Sequence, residues 1–170
     1  MGVRVLADKK HKFTILTTKP ADEAAPTVAE LEAGIEACLK VAAEGFQHTA
    51  TDSTTVEFKA LCGDREQVLT DNNYVQTMTV VRYYLAEGGI DPSDDELFEA
   101  VKNRGTELWA YGRMTDKPAT EAWEAGDEIY LGTRFTTDTP QVPDNPGWVS
   151  FRIPCTVQAG WPFITAAAGA

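Results

Sequence analysis

Residues 128–137 have the sequence Glu-Ile-Tyr-Leu-Gly-Thr-Arg-Phe-Thr-Thr. Two sets of residues alternate along this stretch. The first set is Ile129, Leu131, Thr133 and Phe135, and the second is Tyr130, Gly132, Arg134 and Thr136. Successive side chains of a β-strand leave opposite faces of a sheet, so the alternation predicts a strand with one buried face. A turn at residues 125–127 precedes it.

Similar runs of alternating residues lie on both sides of this stretch. They predict further strands at residues 13–18, 35–44, 54–62, 75–85, 107–113 and 148–157. In the run 54–62, Val56 and Phe58 fall on the predicted buried face. The polar residues 63–74 predict a surface loop. Residues 138–147 contain three prolines, which oppose regular strand pairing and predict an extended loop.

Two segments carry the start signals of helices. Residues 27–30 have the spacing of a capping box and predict a helical turn that ends near Ala33. A clearer helix is predicted after Ser93, with Glu96 three residues further on and Gly105 as the stop. Its apolar stripe consists of Leu97, Phe98 and Val101. The sequence therefore predicts a mainly β (α+β) fold, an antiparallel β-sandwich or barrel with one flanking α-helix.

The composition predicts one folded domain over residues 1–170. Hydrophobic residues make up 43% of the chain and charged residues 24%, a globular balance. The net charge is −11, and no segment is dense in Lys and Arg. Because a tight grip on a phosphate backbone needs clustered cations, this balance disfavours a nucleic-acid reader. Nothing in the sequence predicts a signal peptide or a membrane span, so we expect a soluble product made in the cytoplasm.

The two ends of the chain are candidates for contact with other molecules. Residues 1–12 predict an arm that lies away from the core, and residues 138–170 an extended C-terminal segment whose last part is apolar and weakly structured. Exposed apolar residues at such ends need a partner to cover them. The candidate interface residues are Val3, Val5, Leu6, Phe13, Trp161, Phe163 and Ile164.

No group of residues predicts catalysis or metal binding, and we therefore expect no enzymatic activity, no cofactor and no metal. Cys38, Cys62 and Cys155 are widely spaced and are interpreted as small buried hydrophobic residues. His11 and His48 are interpreted as ordinary surface residues. The four tryptophans favour packing in a core or an interface over stacking on sugars.

Several stretches, in their order along the chain, resemble the major tail tube proteins of long-tailed bacteriophages, especially those that infect actinobacteria. They are residues 13–20 (FTILTTKP), 27–35 (TVAELEAGI), the helix at 95–102 followed by 105–109 (GTELW), and 125–130 (AGDEIY) leading to 138–140 (DTP). The likeness spans nearly the whole chain.

This resemblance implies a β-sandwich with a flanking helix that self-assembles into rings. The rings, hexameric in this family, stack into a hollow tail tube that conducts genomic DNA without specific binding. It further implies a virion protein, assembled in the host cytoplasm, whose partners are its own copies and other tail proteins such as the tape measure and the terminator. Two alternatives remain open: a head-to-tail connector or tail-terminator ring, and a carbohydrate-binding sandwich that uses Trp109 or Trp148.

Overall fold

Strands dominate the architecture of the computed structural model, which describes residues 2–144 and 147–169. About 43% of the chain is strand and 7% is helix, which confirms the mainly β class. The described strands are β1 His11–Leu16, β2 Ile35–Glu36, β3 Gln47–Thr51, β4 Thr55–Lys59, β5 Arg65–Leu69, β6 Asn73–Val81, β7 Glu107–Met114, β8 Glu128–Thr137 and β9 Ser150–Thr165. The described helices are α1 Val28–Glu32 and α2 Glu96–Val101.

Seven strands form one antiparallel sheet in the order β2-β1-β7-β8-β9-β6-β3, and β4 pairs with β5 separately. The large sheet curls so that its two edges face each other. His48 on the edge strand β3 lies 3.0 Å from the carbonyl oxygen of Leu131 on the central strand β8. The ring of Phe13 on β1 packs edge-on against Phe46, which directly precedes β3. The sheet is nevertheless not a closed barrel.

The main core fills the inside of the curled sheet and is covered by α2. Its largest members are Phe13, Ile15, Met78, Val80, Leu97, Phe98, Val101, Leu108, Phe135 and Ile153. A second cluster lies on the outer face of the sheet beneath α1, and it includes Leu31, Trp109, Tyr111, Trp123 and Ile129. Strand β7 supplies residues to both clusters, so it is buried on both faces.

Both predicted helices are present, and the capping box of α1 is confirmed. The Thr27 hydroxyl accepts from the Glu30 backbone N–H at 3.2 Å, and the Glu30 carboxylate accepts from the Thr27 N–H at 2.8 Å. Helix α2 begins at Glu96 with Asp95 at the N-cap position, two residues later than an N-cap at Ser93 predicts. The reason is tertiary, because the buried carboxylate of Asp95 binds Arg82 on the chain that follows β6 instead of capping the helix.

The strand prediction for residues 35–44 is wrong beyond β2. Ala37 donates its N–H to Phe13 O at 2.8 Å, and the chain then turns, with the Lys40 and Val41 N–H groups both directed to Ala37 O. Ala42 N–H reaches Thr79 O at 2.9 Å. Residues 35–42 therefore leave β1, turn at residues 37–41 and reach β6 beyond the end of its pairing with β3.

The C-terminal segment is also more regular than predicted. Strand β9 pairs with β6 through residues 150–155 and then with β8 as far as Thr165. Beyond it, the Ala166 N–H donates to Asp127 O at 2.9 Å. Residues 160–165 are thus ordered by the sheet, because β8 offers a complete hydrogen-bonding edge that the isolated C-terminal sequence does not reveal.

Candidate assembly surfaces

The first candidate surface is a β-hairpin formed by β4 and β5, which extends the β3 and β6 pair away from the body. Thr54 N–H donates to Asp71 O at 2.9 Å, so the pairing continues across the junction. All ten residues of β4 and β5 are exposed. The predicted buried face of residues 54–62 is therefore wrong, and the predicted loop at 63–74 contains a strand. We refer to residues 52–72 as the hairpin.

The hairpin carries large apolar side chains in water. Val56 pairs directly with Val68 and Phe58 with Glu66, which places these four residues on one face. Phe58 is 65% exposed, and Leu61 at the tip is fully exposed. The sequence signal for this feature is present in the alternation of residues 55–59. The predicted burial is wrong because periodicity shows that the two faces of a strand differ, but it does not show that another element covers the apolar face.

The second candidate surface is the N-terminal segment, residues 2–10, which we call the arm. Val3, Val5 and Leu6 are exposed, Val3 to 88%. The root of the arm is fixed, since Lys9 O accepts from the Ala119 N–H at 2.8 Å and the Lys10 ammonium donates to Asp116 O. His11 and Lys12 already belong to β1. The free part of the chain is therefore shorter than the predicted arm of residues 1–12.

The remaining candidate interface residues lie in different environments. Phe13 is buried in the main core, where β1 turns it inward, and it is not accessible to another molecule. Trp161 is half-buried, and Ile164 packs against the second cluster. Phe163 is 74% exposed and has a φ of 51°, a left-handed backbone conformation that is uncommon for an aromatic residue.

The arm and the hairpin leave the same end of the sheet. His11, at the start of β1, pairs with Met114 at the end of β7. Both line a shallow depression with Gln47, Tyr130 and Phe163, from the adjoining parts of β3, β8 and β9. The hairpin continues outward from Thr51, the last residue of β3. This end of the subunit thus presents two apolar extensions and an exposed phenylalanine.

A buried histidine stabilises the same end. His48, interpreted from the sequence as a surface residue, is 3% exposed because the alternation of β3 turns it inside the curl. Burial lowers the pKa of His48 to about 4. The ring is therefore neutral and carries a single N–H. Its Nε2 lies 3.0 Å from Leu131 O, and its Nδ1 lies 3.2 Å from Gln76 Oε1, which also accepts from the Thr133 hydroxyl at 2.6 Å.

His11 and Tyr130 extend this polar arrangement. His11 Nε2 lies 2.8 Å from the Tyr130 hydroxyl, which in turn donates to His48 O at 3.1 Å. Burial lowers the pKa of His11 and raises that of Tyr130, so both groups are neutral at pH 7. These contacts join β1, β3 and β8, and they fix the base from which the hairpin projects.

A buried ion pair holds residues 115–127 against the same end. Arg113 is fully buried and donates to Asp127 at 2.6 Å and to the carbonyl oxygens of Pro118, Glu121 and Ala122. Burial acts to raise the pKa of Asp127, but hydrogen bonds from Lys117, the Glu124 backbone and Arg113 outweigh it and lower the pKa. Asp127 is thus held as a carboxylate between Arg113 and Lys117.

The cysteines and tryptophans do not form a site. Cys38 and Cys155 pack partly against the main core, and burial raises the pKa of the Cys38 thiol to about 11, whereas Cys62 is exposed at the hairpin tip, contrary to prediction. Trp109 is buried and donates its indole N–H to Glu23, so it has no face free for a sugar. Trp148 is exposed and lines a shallow depression with Pro143 and Phe151.

The described residues show no metal centre and no membrane-spanning helix. Over residues 2–144 and 147–169, no three His, Cys, Asp or Glu side chains converge in a way that would hold a metal ion. Neither α1 nor α2, the helices of that part of the chain, is long and apolar enough to cross a membrane.

Comparison with known families agrees with these features. The family model described as phage tail tube protein matches residues 1–170, the whole chain. No curated protein and no solved structure shows significant similarity to the chain. The chain belongs to the phage tail tube protein family, as the sequence resemblance predicts. It is accordingly a structural component of a phage tail.

Proposed function

We propose that this protein assembles with copies of itself into hexameric rings that stack into the tail tube, and that the tube conducts genomic DNA during delivery. The observation that carries the proposal is the concentration of uncovered apolar residues on the arm and hairpin at one end of the subunit. Isolated hairpins of two strands are marginal in water, and exposed apolar patches mark interaction sites. Identical neighbouring subunits would cover both extensions.

Open sheet edges support the same proposal. Strand β3 ends the large sheet on one side, and β2 covers only two residues of β1 on the other. Such edges offer backbone groups for pairing with another chain. In a ring, the edges of adjacent subunits would satisfy one another. Val3, Val5, Leu6 and Phe163 would lie in these contacts, together with the accessible parts of Trp161 and Ile164.

The charge of the subunit suits a conduit for DNA. The chain has a net charge of −11, and a tube built from it would repel the phosphate backbone instead of holding it. DNA would then pass without specific binding. The other partners would be tail proteins, with the tape measure inside the tube and the terminator at its end. Assembly would take place in the host cytoplasm and would not involve catalysis.

Negative-stain electron microscopy of the concentrated protein tests this proposal. We expect extended tubes. A matched variant in which a short Gly-Ser turn replaces residues 55–69 should fold, because the hairpin contributes nothing to either core cluster, but it should not form tubes. Solitary rings would favour the connector or terminator alternative. A chain that remained monomeric at high concentration with tail partners present would contradict the proposal.

A further inference from the structure

The outer edge of β4 is an unfilled strand position. Strand β4 pairs with β5 on one side, and the sheet they form contains only these two strands among the described residues. A third strand would cover the edge of β4 and part of the apolar face that two strands leave in water. Peptides that add to such an edge gain affinity from main-chain hydrogen bonds and specificity from alternate side chains.

The arm has the pattern of such a strand. Val3 and Val5 alternate with Arg4 and Leu6, and all four residues are exposed and outside regular structure. The segment contains no proline and no glycine beyond Gly2. Residues 2–6 make no backbone hydrogen bond within the described part of the chain, so their backbone donors and acceptors are available.

The two segments also carry opposite charges. The arm has three cations and one carboxylate, a net charge of +2, and within the described residues no carboxylate lies within 4.0 Å of Arg4, Lys9 or Lys10. The hairpin has five carboxylates and two cations, a net charge of −3. The arm is thus a cationic, apolar segment on an acidic protein, and the hairpin is its acidic, apolar counterpart.

We propose that the arm of one subunit adds as a third strand to the outer edge of β4 in the hairpin of another subunit. Antiparallel pairing that sets Arg4 opposite Glu57 also sets Val3 opposite Phe58 and Val5 opposite Val56. The valines then join the apolar face formed by Val56, Phe58 and Val68. Against β5, pairing that sets Arg4 opposite Gln67 would place one of the two valines opposite Glu66, which favours β4.

The geometry of the arm root favours a second copy as the partner. Lys9 and Lys10 are bound to Ala119 and Asp116, which directs the arm over residues 115–127 next to β7. The hairpin leaves from β3, which the curl of the sheet brings to face β1. Among the described residues, no strand pairing or backbone hydrogen bond joins residues 2–8 to the hairpin of the same subunit, and both segments are exposed. This inference rests on the proposed self-assembly and specifies one of its contacts.

A charge swap tests the register. Arg4→Glu alone should raise the protein concentration needed for assembly about tenfold, because it sets like charges opposite one another. Glu57→Lys alone should raise it at least as much, because it also removes the ion pair that Glu57 forms with Arg65 inside the hairpin. The double variant should return to within about threefold of the native chain. Arg104→Glu, which makes the same change at an exposed residue far from the arm, should have little effect. Additive losses in the double variant would overturn the proposed register.

Disulfide crosslinking tests the contact independently of tube formation. Two differently tagged chains, both with Cys62→Ser, would carry Val5→Cys and Val56→Cys, respectively. Mild oxidation of the mixture should yield a dimer linked between the two tags. In the control mixture, a chain with Val149→Cys takes the place of the chain with Val56→Cys. Val149 is 54% exposed and Val56 is 56% exposed, and the control should not crosslink to Val5→Cys.

The outcomes separate this inference from the proposed function. Crosslinked dimers without tubes would support the contact and contradict the tail tube proposal. Tubes without the Val5–Val56 crosslink, or with equal crosslinking at Val149, would overturn the contact and leave the tube proposal standing. A third chain would carry both Val5→Cys and Val56→Cys. If this chain formed only an intramolecular disulfide at every protein concentration, pairing between subunits would be overturned.

Discussion

At the scale of single residues, burial of polar groups is the feature that most distinguishes this subunit. His48, Gln76 and Thr133 form a polar group inside the curl of the sheet, with Thr133 Oγ1 2.6 Å from the Gln76 amide. Arg113 and Asp127 form a second such group. Buried polar groups of this kind stabilise a fold only while every partner is present. They make the end that carries the arm and hairpin sensitive to acid.

We expect His48 to make folding pH-dependent. Its pKa is about 4 in the folded chain and 6.5 in the unfolded chain. Between these values the unfolded state binds the proton and the folded state does not, so stability is lost as the pH falls through this window. The loss amounts to about 3 kcal/mol. Urea unfolding at several pH values should show a shallower dependence in His48→Gln than in the native chain.

His11→Gln is the matched control for this experiment. His11 is only partly buried, so its replacement should flatten the pH dependence less than that of His48. Acidic groups with lowered pKa values, such as Asp127 and Glu30, lose their stabilising contacts at lower pH and are common to all three chains. Equal slopes in the native chain and in His48→Gln would contradict the assignment of a neutral, buried ring.

At the scale of elements, three glycines in the sheet make room for tyrosine rings. A Cβ atom on Gly112 would lie 2.4 Å from the Tyr130 ring, one on Gly132 would lie 2.7 Å from Tyr111, and one on Gly160 would meet Tyr74 at the same distance. Tyr111 and Gly132 are directly paired across β7 and β8. An aromatic ring that covers a cross-strand glycine replaces the missing side-chain contacts and fixes the register.

We expect Gly132→Ala to destabilise the subunit by about 1–3 kcal/mol, since Tyr111 is fully buried and its ring has no free space to enter. Thermal unfolding followed by circular dichroism measures the effect. Gly147→Ala is the control, because a Cβ there meets nothing within 4 Å. Equal melting temperatures for the two variants would show that the sheet accommodates a methyl group at position 132. The pairing of β7 with β8 would then not depend on a glycine beneath the Tyr111 ring.

At the scale of the whole molecule, charge is distributed unevenly. Most cations of the body are neutralised by a neighbouring carboxylate, as in the pairs formed by Lys40 with Glu96 and Arg82 with Asp95. The uncompensated positive charge lies mainly in the arm, and the arm is a short segment. If the arm is covered in the assembly, as proposed above, the exposed surface becomes more negative still.

We expect neither the subunit nor its assemblies to bind duplex DNA at physiological salt. The physical reason is that binding depends on clustered cations that displace counterions from the phosphates, and this chain has a net charge of −11. A gel shift with labelled duplex measures it, and a basic DNA-binding protein serves as the positive control. Retarded DNA that is released by added salt would contradict a non-binding conduit.

The sequence by itself determined the features that depend on neighbouring residues along the chain. The alternation of residues 128–137 predicted β8, and the spacing of Thr27 and Glu30 predicted the cap of α1. These are local effects of side-chain direction and capping, so they are encoded locally. The order of such segments was also sufficient to indicate the family. The predicted stop at Gly105 is wrong, because α2 ends at Val101 with Lys102 as its C-cap, and the Gly105 N–H donates to Thr137 O on β8.

Only the tertiary structure decided which alternating faces are covered. Val56 and Phe58 have the same pattern as Ile129 and Leu131, yet the former lie in water and the latter in the interior. His48 is buried because the sheet curls, and residues 160–165 are ordered because β8 offers them an edge. Periodicity specifies that the two faces of a strand differ, but burial depends on elements that are distant in sequence, and these come together only on folding.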